Sequence, residues 1–158
     1  MMIQLSYTVT IGAMPPTVWR AITDPAHFPD WARAFAEGSE VSGSWEEGGE
    51  LRFTSADGSG TRARIDLLQP PARIETTHLA IIQPDGVEDT ESEAAQDWIS
   101  TREIYTLEPV KDGTSLVVTV KTTGAYLGMF DGAWPKALAL LREVAEGLER
   151  PSEANASS

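Results

Sequence analysis

Apolar and polar residues alternate without interruption over residues 3–11. Ile3, Leu5, Tyr7, Val9 and Ile11 fall on one side, and Gln4, Ser6, Thr8 and Thr10 on the other. A period of two marks a half-buried strand. Pro15 and Pro16 then open a helix, where missing N–H groups do no harm. Val18, Trp19 and Ile22 share one side of it. Asp24-Pro25 stops that helix and caps a second one, running to about Phe35, whose apolar face is Phe28, Trp31, Ala32 and Phe35.

From Gly38 the period returns to two. Short strands are expected over 41–45 and 50–55, joined by the hairpin signal Glu46-Glu47-Gly48-Gly49. Residues 61–68 alternate until Pro70-Pro71, and further strands are expected over 73–83, 98–108 and 114–123. The last element is helical, because Trp134, Leu138, Leu141, Val144, Ala145 and Leu148 recur at three and four. Pro135 lies inside that pattern, so it either sits in the first turn or interrupts a longer helix beginning near Tyr126. Residues 85–97 (six acids, no base), the turn-rich 55–60 and the small polar 151–158 lack a core pattern. The last of these is expected to be a disordered tail, which leaves one domain over residues 1–150.

The order β, α, α, six strands, α predicts an α+β protein with an antiparallel sheet. Seven strands are too few to close round a filled barrel, but a twisted sheet can wrap partly round the long terminal helix. The space left between them is either core or pocket. Small and polar residues such as Thr76, His78 and Ala80 stand between Ile74 and Ile82, and five Trp are available as wide amphipathic lining. The pattern alone leaves both outcomes open.

Composition narrows the chemistry. The 158 residues carry 24 acids against 12 bases, a formal charge of −12. That balance argues against nucleic acid, which needs clustered Lys and Arg, and against an anionic membrane surface. The absence of Cys excludes disulfides, thiolate catalysis and zinc–thiolate or iron–sulfur sites and suits a cytoplasmic location. No apolar run approaches the roughly 20 residues of a membrane span, and the N-terminus has no basic stretch before an apolar one, so no signal peptide is expected. Two separated His residues make no metal site, and phosphate-loop, dinucleotide and nucleophile-elbow motifs are missing. No cofactor is expected.

Residues 13–25, Ala-Met-Pro-Pro-Thr-Val-Trp-Arg-Ala-Ile-Thr-Asp-Pro, followed by Trp31, resemble the N-terminal signature of the bacterial homologues of the activator of the ninety-kilodalton heat-shock-protein ATPase. Gly48-Gly49, Pro70-Pro71-Ala72-Arg73-Ile74, Gly113-Thr114-Ser115-Leu116 and Gly132-Ala133-Trp134 with Leu138 and Leu141 continue the resemblance in order, from about Ile3 to Leu148. The usual Gly-Trp pair is split here by Ala133. The resemblance implies the SRPBCC superfamily and its START-like, helix-grip fold. There, seven antiparallel strands grip a C-terminal helix, two short helices follow the first strand, and a ligand cavity lies between sheet and helix. It also implies a cavity mouth formed by 56–60, by the acidic residues 85–97 and by the region near Gly124.

The expected function is binding of a small hydrophobic or aromatic molecule in that cavity, with Tyr7, Phe53, Ile65, Thr76, His78, Trp98, Thr101, Glu103, Tyr105, Val118, Tyr126, Phe130 and Trp134 as candidate ligand contacts. Trp98 is the candidate aromatic at the mouth, and Trp19, Trp31 and Trp134 are expected core anchors. His27 is read as a surface residue. His78 faces inward if Ile74 does, and outward if Leu79 and Ile81 mark the inner face; inside, it is a candidate base or a hydrogen-bonded structural group. Glu103 is either solvated near a strand end or buried, in which case it needs a partner, for which Arg64 or Arg102 would have to turn inward. An alternative is a cyclase, dehydratase or hydrolase using His78 and Glu103 as acid–base groups, although no motif demands an enzyme. A chaperone-linked interaction domain is a second alternative, suggested by the family's name alone. A homodimer is left open.

Overall fold

The computed structural model describes residues 2–150; the expected disordered tail, 151–158, lies outside the described residues. Strand β1 (Met2–Ile11) leads through helices α1 (Pro15–Thr23) and α2 (Phe28–Ala32) to β2 (Glu40–Gly43), β3 (Glu50–Thr54), β4 (Gly60–Gln69) and β5 (Arg73–Ile82). A two-residue strand β6 (Glu88–Asp89) and helix α3 (Glu93–Trp98) precede β7 (Arg102–Val110) and β8 (Gly113–Thr123). A single 3-10 turn (Gly124–Tyr126) then enters α4 (Leu127–Glu149).

All pairings are antiparallel, in the order β1-β8-β7-β5-β4-β3-β2, with β6 beside β5. Chain neighbours are mostly sheet neighbours, as short hairpin links require; the exception is β1, which crosses to pair with β8 along ten residues, Met2 opposite Thr123 and Ile11 opposite Thr114. This is the expected α+β helix-grip arrangement. Helix α4 lies across the sheet with Phe130, Trp134, Ala137, Leu138, Leu141 and Ala145 buried, a stripe at the three-and-four spacing of one helix face.

Three features fix how α4 sits. Glu146 accepts a 2.8 Å hydrogen bond from the Gly12 backbone N–H, which, with the neighbouring Arg142, holds its carboxyl below the usual range. Glu149 accepts from the Thr17 hydroxyl and the Met14 N–H, joining the helix end to the start of α1. At the other end Tyr7 donates a 2.6 Å bond to Asp131; burial and that carboxylate together push the phenol above its ordinary value. Pro135 lies well inside α4, so the longer-helix alternative is the one realised. Lacking an N–H, it leaves the Asp131 carbonyl without its i+4 donor.

Two expected boundaries are corrected. The strand expected from residue 98 begins at Arg102, because Trp98 ends α3, a helix inside the acidic stretch that showed no core pattern. Ser92 caps it by accepting from the Ala95 N–H, and Ala95 and Trp98 are its buried side. The second helix is shorter than expected. It ends at Ala32 and continues to Phe35 only as turns, with the Phe35 N–H donating to the Ala32 carbonyl. Of the three expected anchors, Trp31 and Trp134 are fully buried, whereas Trp19 is half-buried against the edge of the core.

The sheet is not regular. Arg62 pairs with Ala80 and Ala63 with His78, so Leu79 has no partner on β4: it is a β-bulge. A bulge reverses which side the following residues face. Ile74, Thr76 and His78 face inward as one alternative held, but beyond Leu79 it is Ile81 that packs on the main core, while Ala80 and Ile82 are buried outside it. A second bulge leaves Asp66 unpaired between Ile65 and Leu67, and its carboxylate accepts from Thr77 and Arg64.

Candidate functional site

Between α2, the start of α4 and the β3–β4–β5 part of the sheet lies a cavity of about 330 Å³, at the lower end of the roughly 300–1,000 Å³ typical of small-molecule sites. Its walls are aromatic. Helix α2 and the turns after it bring Phe28, Trp31 and Phe35; β3 brings Phe53; α3 brings Trp98; and the 3-10 turn and α4 bring Tyr126 and Phe130. Trp98 is the hub, with ring centroids 4.5 Å from His78, 4.9 Å from Tyr126 and 5.8 Å from Phe130.

One wall is polar. His78 is 2 % exposed, and its Nε2 lies 2.5 Å from Glu103 Oε1. The Nδ1 atom lies 2.9 Å from Thr61 Oγ1. That hydroxyl also accepts from Trp98 Nε1–H at 2.7 Å and lies 3.0 Å from the Ala80 carbonyl. The bulge makes this convergence, because it places Thr61, opposite Ile81, and His78, opposite Ala63, on the same side. Glu103 stands opposite Thr76 across β5 and β7, two register positions from His78, whose N–H bonds the Thr101 carbonyl. Thr61 has one proton. If it goes to Ala80, His78 Nδ1 must carry its own and donate back; if it goes to Nδ1, then Nε2 carries the proton and donates to Glu103. In either case a proton lies between Nε2 and Oε1, and the buried polar groups are satisfied in a row.

Neither arginine considered as a partner for Glu103 serves it. Arg64 pairs with Asp66 at 2.8 Å and Arg102 with Glu75 at 2.6 Å, both away from the cavity. The partner is the imidazole. Of the thirteen candidate contacts, Phe53, His78, Trp98, Glu103, Tyr126 and Phe130 line the cavity. The other seven do not. Ile65 and Val118 are fully buried core, Thr101 and Thr122 share a 2.8 Å bond, and Thr76 donates to the Glu103 carbonyl. Trp134 fills the neighbouring space against Trp31, Phe35, Tyr105 and Tyr7. Burial and the charge of Glu103 push the Tyr105 phenol well above its ordinary value.

The α2 aromatics are the main omission from the candidate contacts. Phe28, Trp31 and Phe35 were visible as one helix face, but nothing distinguished a face on core from a face on a hollow. Thr61 carried no signal beyond its place at a strand start. The acidic stretch 85–97 does not line the cavity, as the expected mouth would require. Glu88 binds Arg62 and Arg52, Asp89 holds Ser92, and only the Ala94 carbonyl approaches the rim, accepting from Tyr126. Residues 55, 59 and 60 and Tyr126 do reach the lining. Among the described residues no three His, Asp or Glu side chains gather as a metal site would require, and no helix is long and apolar enough to cross a membrane.

A sheet closed over a C-terminal helix, with an aromatic hollow between them, defines a helix-grip protein. The chain belongs to the family of activator of Hsp90 ATPase homolog 1-like proteins, whose model matches residues 13–146. Solved structures share the fold. A Mesorhizobium loti protein superposes with a TM-score of 0.76 at 15% identity, over 94% of this chain and 100% of that one. The Aha1 dimer from Colwellia psychrerythraea gives 0.66 at 18% identity, over 93% and 96%. A Rhodobacter sphaeroides protein gives 0.63 at 25% identity, over 93% and 95%. No curated protein matches the chain.

Proposed function

We propose that the cavity binds a small, predominantly aromatic molecule. The observation that carries this reading is the hollow itself, walled by aromatic side chains from three helical segments and one strand and bearing the linked polar groups Thr61–His78–Glu103, with Ser39, Thr54, Ser55 and Ser59 also in the lining. Apolar walls with few convergent polar groups are the usual composition of a ligand site. The test is titration with N-phenyl-1-naphthylamine, a neutral dye that brightens in apolar surroundings. Saturable binding near one per chain is expected, weakened at least about tenfold by Ala36→Trp, which places a large ring at the cavity wall. Failure of the dye to saturate, or binding indifferent to Ala36→Trp, overturns the reading.

The proton-sharing pair supports a second reading, acid–base catalysis of the cyclase, dehydratase or hydrolase sort. Thr61, His78 and Glu103 have the connectivity of a hydroxyl–imidazole–carboxylate triad. Yet the hydroxyl is occupied by Trp98 and Ala80, which suits a positioning group better than a nucleophile, so binding is the better-supported role. Turnover of any bound substrate that survives both His78→Ala and Glu103→Gln removes the catalytic reading. A homodimer, like that of the Colwellia protein, is a separate proposal that light scattering decides.

A further inference from the structure

The polar patch offers the cavity an acceptor. Glu103 is mostly buried, its side chain 13% exposed. Its Oε1 is taken by His78, while Oε2 has no hydrogen-bond partner among the described residues. Trp134 Nε1 is the only fully enclosed polar side-chain atom there without a partner, so Oε2 keeps accessible surface, and Glu103 is one of the residues that line the cavity. With the carboxyl ionised, or with its proton on Oε1 facing His78, Oε2 is a bare acceptor. His78 has both ring nitrogens engaged, by Glu103 and Thr61, and the Thr61 hydroxyl is engaged by Trp98 and Ala80. No Lys or Arg lines the cavity.

From this we infer that the site selects an aromatic molecule carrying an O–H or N–H donor, held against Glu103 Oε2, and rejects aromatic anions. The inference rests on the binding reading above and names the ligand's chemical class. An acceptor left without a donor among apolar walls is costly, and a hydrogen bond to a charged group is among the stronger ones. A carboxylate or sulfonate would set its lone pairs against those of Oε2 with no cation to offset them.

The test is displacement of N-phenyl-1-naphthylamine by three compounds of one ring system: 2-naphthol, 2-methoxynaphthalene and 2-naphthoate. On the unmodified protein, naphthol is expected to displace the dye at least about tenfold better than the methyl ether, and naphthoate to be weakest. Glu103→Met, which keeps bulk and removes the acceptor, should bring naphthol and its ether within about threefold of each other. If the dye saturates but naphthol, ether and naphthoate compete equally, the binding reading stands and this inference falls. If the ranking holds but Glu103→Met leaves it intact, the donor is recognised elsewhere and the inference falls. A dye that never saturates overturns both. The unmodified protein alone decides the first comparison, so a variant that fails to fold does not protect the idea.

Discussion

The space between sheet and terminal helix is divided into two unlike halves. Around Trp134 it is full: the indole meets Phe35 at 5.0 Å, Tyr105 at 5.7 Å and Trp31 at 6.1 Å between centroids. Around His78 it is hollow, although Phe53, Trp98 and Phe130 are bulky aromatics too. Trp31 and Phe35 stand in the wall between them, touching Trp134 and the cavity alike. The difference teaches that side-chain size does not decide hollowness. The full half has one polar group with little to do: Trp134 Nε1 has no partner among the described residues. In the hollow half the polar groups are linked in a row along one wall.

The largest effect that would sharpen this contrast is Trp134→Ala. It should lower stability by about 3–5 kcal/mol in urea unfolding while leaving the dye stoichiometry of the folded protein unchanged. If dye binding is lost in protein shown to be folded, the halves are not separable. Next, His78→Leu should cost about 2–4 kcal/mol, because Glu103 loses its partner. The double variant His78→Leu/Glu103→Met should regain much of that loss, since replacing both members of a buried pair is cheaper than removing one. A double variant as unstable as the sum of the singles would show that the pair does not act as a unit. Thr61→Val should cost about 1–3 kcal/mol by stranding Trp98 Nε1–H and His78 Nδ1, and should change the tryptophan emission as Trp98 loses its acceptor.

The smallest effect lies outside both halves. On the outer face, hydrogen bonds from Arg62 lower the Glu88 carboxyl below its ordinary value, aided by the charges of Arg62 and Arg52. The folded value is the lower one, so this stabilisation is complete above the unfolded value near 4.5 and disappears as pH falls through the folded value. Because Glu88 is partly solvated, with its side chain 30% exposed, the gain is at most about 1 kcal/mol. Glu88→Gln should flatten the urea midpoint between about pH 5 and 3 by that amount without changing dye affinity.

Much of the fold is legible in the alternation of residues 3–11, in the α4 stripe and in the hairpin turns, because burial writes a period into the chain. Helix α3 is illegible for the same reason: it buries only Ala95 and Trp98, too few for a period. The seven candidate contacts that lie outside the cavity lining show a different limit. Tyr7, Ile65, Tyr105, Val118 and Trp134 do face inward, but periodicity reports direction, and the volume left over depends on how the two helices before β2 lean on α4. The His78–Glu103 contact joins residues 25 apart across two strands. The alternation of each strand is readable, but neither the side that turns inward nor the register that sets the two residues side by side.

The unpaired Leu79 makes the wall of the hollow a matter of chain length. Removing that one residue would straighten β5 yet leave Ala80, Ile81 and Ile82 on their present sides, because Leu79 alone has no partner on β4. Such a deletion, small enough to arise in one genetic event, would reshape the chamber through the local bend and twist while keeping the same side chains beside the imidazole.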